Sequence, residues 1–157
     1  MEIYQIKEQI LKWLSQEKDW NIQVKPEADY YFCCTVKMSE AGGCNVCIER
    51  DIDRVNVISN GKFTEGDAIN YKLSPKKKKE ELWIALKTNL VHVGVNVDPK
   101  PDFENLETIQ VAKLIYFDAL SQDKLVNTML KVTDAMDLIQ LIYRDFSEEM
   151  SRQSQMS

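Results

Sequence analysis

The sequence has little of what membrane and secreted proteins need. No apolar run approaches the ~18 residues of a membrane-spanning helix. The N-terminal segment MEIYQIKEQIL lacks the basic region and apolar block of a secretory signal. These absences predict a cytoplasmic protein without a membrane contact, where cysteine thiols stay reduced.

Motifs of catalysis are also missing. His92 is the only histidine, so a Ser-His-Asp triad or a histidine-based metal site would have only this residue to use. The sequence contains no G-x-S-x-G elbow and no G-x-x-x-x-G-K-[ST] or G-x-G-x-x-G phosphate loop. We therefore predict that the protein is not an enzyme, has no catalytic residues and needs no cofactor.

Charge and size narrow the class of protein further. The net charge is −5, which argues against nucleic acid as a partner because Lys and Arg drive contact with phosphates. A chain of 157 residues with 44% hydrophobic residues is long enough to bury a core as one domain. We predict a single α+β domain over residues 1–150 and a frayed polar tail over 151–157.

Three segments show helical periodicity. Residues 2–17 read as an amphipathic helix. Ser74 is a suitable N-cap and Pro75 a suitable first residue for a second helix. Ser121 is a suitable cap for a long C-terminal helix of roughly 40 Å. The apolar seam of that helix steps by four and three residues through Leu125, Met129, Val132, Met136, Ile139, Tyr143, Phe146 and Met150.

Alternation of apolar and polar residues predicts the strands, at 20–26, 30–38, 44–49, 54–59, 91–97 and 107–117. Asn60-Gly61 is expected to end the strand 54–59. Residues 39–43 and 99–105 are expected to be loops. The last strand is apolar on both faces over Leu114 to Phe117, so it should be central or covered. Residues 63–73 are open between helix and strand.

This order of elements resembles the type III secretion chaperone-like fold and a family of small, uncharacterised archaeal proteins with that architecture. The resemblance runs from Met1-Glu2-Ile3 through Phe146 and rests on the Ser74-Pro75 helix start that feeds the VHVGVNV strand. It implies a twisted antiparallel sheet of five to six strands. The N-terminal and long C-terminal helices would cover one face, with a further helix inserted mid-sheet. Such folds are often homodimers that bind partner segments.

The four cysteines, Cys33, Cys34, Cys44 and Cys47, fall on two predicted strands. Alternation places Cys34 and Cys44 toward the core and Cys33 and Cys47 on the other face, which disfavours one four-cysteine zinc site. We expect reduced packing residues. Two alternatives stay open, because the strand register is not fixed. These are a metal site, if Gly42-Gly43 prolongs the loop through Cys47, and a thiol switch through a Cys33–Cys47 disulfide.

The lysine run Lys76, Lys77, Lys78 and Lys79 opens the middle helix, where the helix dipole disfavours cations. It predicts a solvated face or, alternatively, a contact with an acidic partner or an anion. Trp83 is placed outward by its phase and is a second candidate for partner contact. The C-terminal seam predicts either core packing or a share in a dimer interface, so the helix that makes a dimer is open.

These patterns together predict a non-catalytic, homodimeric module that binds another protein or a peptide. Its sheet face or its Lys76–Trp83 helix would make the contact. The alternative is a metal- or thiol-dependent protein that uses the four cysteines.

Overall fold

A computed structural model describes residues 2–26, 29–40 and 42–156, and it confirms the α+β class. The helices are α1 (Ile3–Ser15), α2 (Glu65–Leu73), α3 (Lys76–Leu90) and α4 (Gln122–Met156). The strands are β1 (Asn21–Lys25), β2 (Tyr30–Lys37), β3 (Gly43–Glu49), β4 (Arg54–Lys62), β5 (Asn96–Pro101) and β6 (Leu106–Tyr116). A 3-10 turn, Phe117–Ala119, joins β6 to the segment before α4.

The six strands form one sheet in the order β1-β2-β3-β4-β6-β5. β6 therefore lies between two other strands, as its apolar character on both faces predicts. β5 is an edge strand that contains Pro99 and Pro101. Proline is tolerated at a sheet edge because it has no N–H to offer a neighbouring strand.

The chain divides into two compact units. Unit 1 is Met1–Ser59 with Ala112–Thr133, and unit 2 is Asn60–Val111 with Asp134–Ser157. Unit 1 holds α1, β1 to β3, most of β4, the end of β6 and the start of α4. Unit 2 holds α2, α3, β5, the start of β6 and the rest of α4. The single-domain organisation stays a prediction.

One face of the sheet in unit 1 is deeply buried, and we call it the covered face. Its members include Phe32, Cys34, Val36, Cys44, Val46, Ile48, Val55 and Val57. α1 contributes the buried residues Ile6, Ile10 and Leu14, as its helical spacing predicts. The ammonium of Lys7 lies 5.6 Å from the centroid of the Phe32 ring, which places α1 against this face.

The segment 63–73 is resolved as a helix from Glu65 to Leu73, which is α2 of unit 2. Thr64 caps α2 by accepting a hydrogen bond from the Asp67 N–H at 3.1 Å, so Gly66 is compatible with the helix. The prediction that Ser74 caps the next helix is wrong. Ser74 is the C-cap of α2, its hydroxyl donates to the Asn70 carbonyl at 2.6 Å, and Pro75 is the N-cap of α3.

Two predicted strand boundaries are wrong as well. β4 continues through Asn60-Gly61 to Lys62, because Gly61 serves close packing and not a turn. A Cβ at Gly61 would lie 2.6 Å from the sulfur of Met136. The predicted strand 91–97 instead begins as a turn after α3, in which Gly94 has φ 71°. β5 starts at Asn96 and takes up part of the predicted loop 99–105.

The C-terminal helix follows its predicted seam. The Ser121 hydroxyl accepts from the Lys124 N–H at 3.1 Å, which confirms the cap. Every seam residue from Leu125 to Phe146 is buried, which agrees with core packing. α4 extends to Met156, so 151–156 is helical where a frayed tail is predicted. Ser157, and Ala41 in the predicted 39–43 loop, lie outside the described residues.

None of the helices in the described ranges combines the length and the apolar character that crossing a bilayer requires.

Candidate functional site

Cys33 and Cys47 stand directly opposite each other in the register of β2 and β3 and are joined by a disulfide. The Met38 N–H donates to the Gly42 carbonyl at 3.1 Å, which marks a hydrogen-bonded pair at the end of this hairpin. Alternation along the ladder then makes Cys33–Cys47 a non-hydrogen-bonded pair. Such pairs bring the backbones closest, and the Cα–Cα distance here is 4.1 Å. Reduced packing is therefore the wrong prediction for these two residues.

Cys34 and Cys44 lie on the covered face as free, buried thiols, as predicted. They are diagonal neighbours, because the register pairs Cys34 with Val46 and Cys44 with Val36. Burial raises the pKa of Cys34 to about 11 and that of Cys44 to about 12. Both side chains therefore stay protonated at neutral pH and act as small apolar residues.

The four cysteines do not converge on a metal site. Two are joined on one face of the sheet and two are buried on the other, so their sulfurs cannot point to one centre. Within the described part of the chain, no group of three or more His, Cys, Asp or Glu residues is placed to hold a metal ion.

The face that carries Cys33 and Cys47 is only partly exposed, and we call it the open face. Cys33, Cys47 and Ile58 are buried in it, whereas its other members are half-buried or exposed. The Phe117 N–H donates to the Asp53 carbonyl at 3.0 Å, which pairs β4 with β6 and sets Asn56 opposite Leu114. One row of the open face is Lys25, Cys33, Cys47, Asn56 and Leu114. The adjacent row is Gln23, Thr35, Asn45, Ile58 and Ala112.

The central part of the open face is neutral and has small side chains. Thr35 donates a hydrogen bond to the Asn45 side-chain oxygen at 2.8 Å. At one end of the face, Arg54 forms an ion pair with Glu49, and Tyr116 is 55% exposed. Hydrogen bonds to Glu49 and then to Tyr116 raise the pKa of Arg54. Charged and aromatic side chains at this end thus border the uncharged centre of the open face.

Asn56, in the centre of the open face, has a side-chain oxygen without a hydrogen-bond partner. Its side-chain oxygen is the one buried side-chain polar atom among the described residues that has no hydrogen-bond partner. A buried carbonyl left without a donor costs about 1–3 kcal/mol. The residue as a whole is half-exposed, and the terminal torsion of an Asn is broad. A donor from outside the chain would reach this oxygen only after that torsion rotates.

The predicted exposure of Trp83 is wrong. Trp83 is 7% exposed, and its Nε1 donates to the Tyr71 hydroxyl at 2.9 Å. The buried face of α3 runs through Lys79, Leu82, Trp83, Leu86 and Leu90. This helical stripe includes Trp83 and leaves Ile84, which is 65% exposed, in the outward position.

The lysine run does not form one exposed surface. Lys79 is 5% exposed, and its ammonium donates to the Glu104 carbonyl at 3.2 Å and lies 5.1 Å from the centroid of the Tyr71 ring. Lys78 pairs with Glu81 at 3.3 Å and with Glu149 at 3.5 Å. The solvated-face prediction is therefore wrong for Lys79, whereas Lys78 is half-buried and forms its ion pairs at the surface. Only Lys76 and Lys77 are exposed.

His92 lies exposed in the turn after α3. Nothing in the sequence alone marks Asn56, Leu114 and Tyr116 as members of one surface. Alternation along β4 places the Asn56 side chain on the other face of the strand from Val55 and Val57. No local signal shows that β4 pairs with β6 or that the Asn56 oxygen lacks a donor.

Comparison with known proteins gives a family without a described function. The model of a family described as Uncharacterized conserved protein (DUF2299) matches residues 6–142. The crystal structure of an uncharacterized protein from Methanothermobacter thermautotrophicus has a TM-score of 0.77 and 19% sequence identity, and the match covers 88% of this chain and 96% of that one. At this identity the likeness shows the fold alone. No curated protein matches the chain.

Proposed function

This chain belongs to the uncharacterised DUF2299 family, and we propose that it is a non-catalytic module that binds a segment of another protein on its open face. The unpartnered side-chain oxygen of Asn56 carries the proposal. This oxygen is buried, but Asn56 as a residue is half-exposed, and the other buried side-chain polar atoms among the described residues have partners. A bound segment that supplies a donor removes this deficit.

The side chains at the centre of the open face indicate what kind of protein segment would bind there. Protein interfaces are depleted of charge at their centre and enriched in aromatic residues and Arg. The centre of the open face is uncharged and includes the buried Ile58 and the half-buried Leu114, and Tyr116 and the Arg54–Glu49 pair lie at its end. The matching segment presents apolar side chains and at least one N–H or O–H group toward Asn56.

The secretion chaperone-like order of elements supports the same function, since folds of that kind are often homodimers that bind partner segments. The homodimer and a cytoplasmic location belong to this proposal. The Lys76–Trp83 helix is not included in the binding site, because Trp83 is buried and Lys78 and Lys79 have acidic partners within the chain.

A library of random linear peptides displayed on phage tests the proposal. Peptides selected on the immobilised full chain are measured by fluorescence anisotropy against two variants. Leu114→Glu introduces a charge on the open face, and Leu73→Glu introduces the same charge at a 78% exposed position of α2. We expect Leu114→Glu to weaken binding about tenfold or more, which is about 1.4 kcal/mol, and Leu73→Glu to leave it unchanged. Equal binding to both variants, or no selected peptide, contradicts the proposal.

A second candidate function, that of a thiol-dependent protein, is favoured by the position of Cys33–Cys47 within the open face. Reduction by a dithiol would open the bond, with two electrons and two protons passing from the dithiol to the two sulfurs. This candidate requires peptide affinity to change on reduction. Identical affinity before and after treatment with dithiothreitol, with the two additional thiols counted by maleimide labelling, rules it out.

A further inference from the structure

The two edges of the sheet differ in what they offer a neighbouring strand. At the β5 edge, Pro99 and Pro101 lack the N–H groups that a further strand needs, and proline is one of the features that protect sheet edges. β1 has the sequence NIQVK, without proline, and forms the opposite edge. All of its residues except Ile22 are exposed.

The register shows which groups of β1 are free. Met38 and Gly42 form a hydrogen-bonded pair, so Val36–Cys44 and Cys34–Val46 are also pairs of this type. The residues between them, Cys33, Thr35 and Lys37, therefore direct their main-chain N–H and C=O groups toward β1. Their partners are Asn21, Gln23 and Lys25. It follows that the N–H and C=O groups of Ile22 and Val24 point away from the sheet.

We propose that two copies of this chain pair through β1, antiparallel about a two-fold axis at Gln23, so that the two sheets become continuous. In this register Ile22 lies opposite Val24 of the second copy, and Gln23 lies opposite its own equivalent. The two outward residues of each strand then meet in hydrogen-bonded pairs and exchange four main-chain hydrogen bonds.

The strand is complementary to itself in its side chains as well. Ile22 and Val24 form β-branched cross-strand pairs, and Val24, now 55% exposed, loses contact with water. Lys25 lies opposite Asn21 of the second copy, so no two lysines face each other. A partner with a different strand would need a matching pattern, whereas a second copy has it by symmetry.

The role that we assign to this dimer rests on the proposed function, which is peptide binding at the open face. Residues that face each other across an antiparallel pair project from the same side of the sheet. Gln23 and Lys25 belong to the open face, so the open faces of both copies lie on one side. The dimer thus offers one binding surface of doubled width.

Cysteine cross-linking in the full chain tests the register. Gln23 and its equivalent form a non-hydrogen-bonded pair with Cα atoms about 4.5 Å apart, which is within reach of a disulfide. We expect Gln23→Cys to form a covalent dimer on mild oxidation. Asn21→Cys and Lys25→Cys should not cross-link alone, but they should do so when the two variants are mixed. Wild type is the blank.

Sedimentation equilibrium of the uncross-linked chain tests the edge itself. We expect wild type and Val24→Thr to have twice the 18.2 kDa chain mass at micromolar concentration. Val24→Pro removes an outward N–H without breaking the β1–β2 ladder, and it should be a monomer with an unchanged circular dichroism spectrum.

A wild-type monomer, a dimer that Val24→Pro leaves intact, or a Gln23→Cys chain that does not cross-link overturns the inference. These readouts do not involve the selected peptide. A monomer that still binds peptide on the open face would contradict the homodimer and leave peptide binding standing, whereas a β1-paired dimer that binds no peptide would contradict peptide binding alone.

Discussion

At the scale of single residues, Tyr71 links the helices of unit 2 to the segment before β6. It is fully buried, its hydroxyl accepts from Trp83 Nε1, and it donates to the Phe103 carbonyl. Burial raises the pKa of Tyr71, so the hydroxyl keeps its proton and remains a donor.

Replacement of Tyr71 by Phe removes both hydrogen bonds and leaves the indole N–H of Trp83 buried without a partner. We expect Tyr71→Phe to lower the free energy of unfolding by about 1–3 kcal/mol in urea titrations. Tyr4→Phe is the control, because Tyr4 is 56% exposed and should change stability by less than about 0.5 kcal/mol. Equal effects of the two variants would mean that the Tyr71 hydroxyl has no structural role.

The buried thiol of Cys34 makes stability depend on alkaline pH. Its pKa is raised from 9.0 to about 11 by burial, so the unfolded chain loses this proton before the folded chain does. The thiol's contribution is complete below pH 9 and is lost as pH rises toward 11. We expect the stability advantage of wild type over Cys34→Ala to fall by on the order of 1–3 kcal/mol across this range, measured by urea unfolding. A difference that stays constant with pH would contradict the burial argument.

Residue positions were predictable from sequence where one local rule decides them. Alternation along β2 and β3 correctly separates Cys34 and Cys44 from Cys33 and Cys47. It could not fix the Cys33–Cys47 disulfide, because that requires the register. Trp83 was misplaced because α3 buries a wide stripe that includes a lysine, and the acidic partner of that lysine, Glu104, lies in a distant loop.

At the scale of elements, two glycines have opposite roles. Gly61 allows β4 to approach Met136, with only 2.6 Å between a Cβ there and the sulfur. Gly66 lies in α2, where a Cβ would meet nothing within 4 Å.

We expect Gly61→Ala to lower the thermal midpoint, with a cost of about 1–3 kcal/mol from overpacking. Gly66→Ala should raise stability by about 0.5 kcal/mol, because it reduces the freedom of the unfolded chain and favours the helix. Differential scanning calorimetry of both variants measures this contrast. Two variants that shift in the same direction would contradict the packing at Gly61.

Periodicity predicted α1, β2, β3, β6 and α4 well, because each has a long, regular pattern. Boundaries failed where glycine or proline has two possible roles. Gly61 reads as a strand end but serves packing, and Ser74-Pro75 reads as a helix start although Ser74 ends the preceding helix.

At the scale of the whole molecule, the α+β class and the number of strands follow from the order of elements. The position of β6 between β4 and β5 does not, since it depends on pairing between strands separated by two helices. The open face is a product of that pairing, because Leu114 reaches Asn56 only across β4 and β6. The candidate site was therefore predictable only for its cysteines.

The central claim is that the open face is the binding surface, and NMR of the full chain with a phage-selected peptide tests it directly. Signals of the Asn56 side-chain amide and the Ile58 and Leu114 methyl groups report on the open face. Those of Ile69 and Leu73 report on exposed positions of α2. We predict that the first set shifts on titration with peptide and that the second set does not. Shifts confined to Ile69 and Leu73, with Asn56 unmoved, would contradict the account.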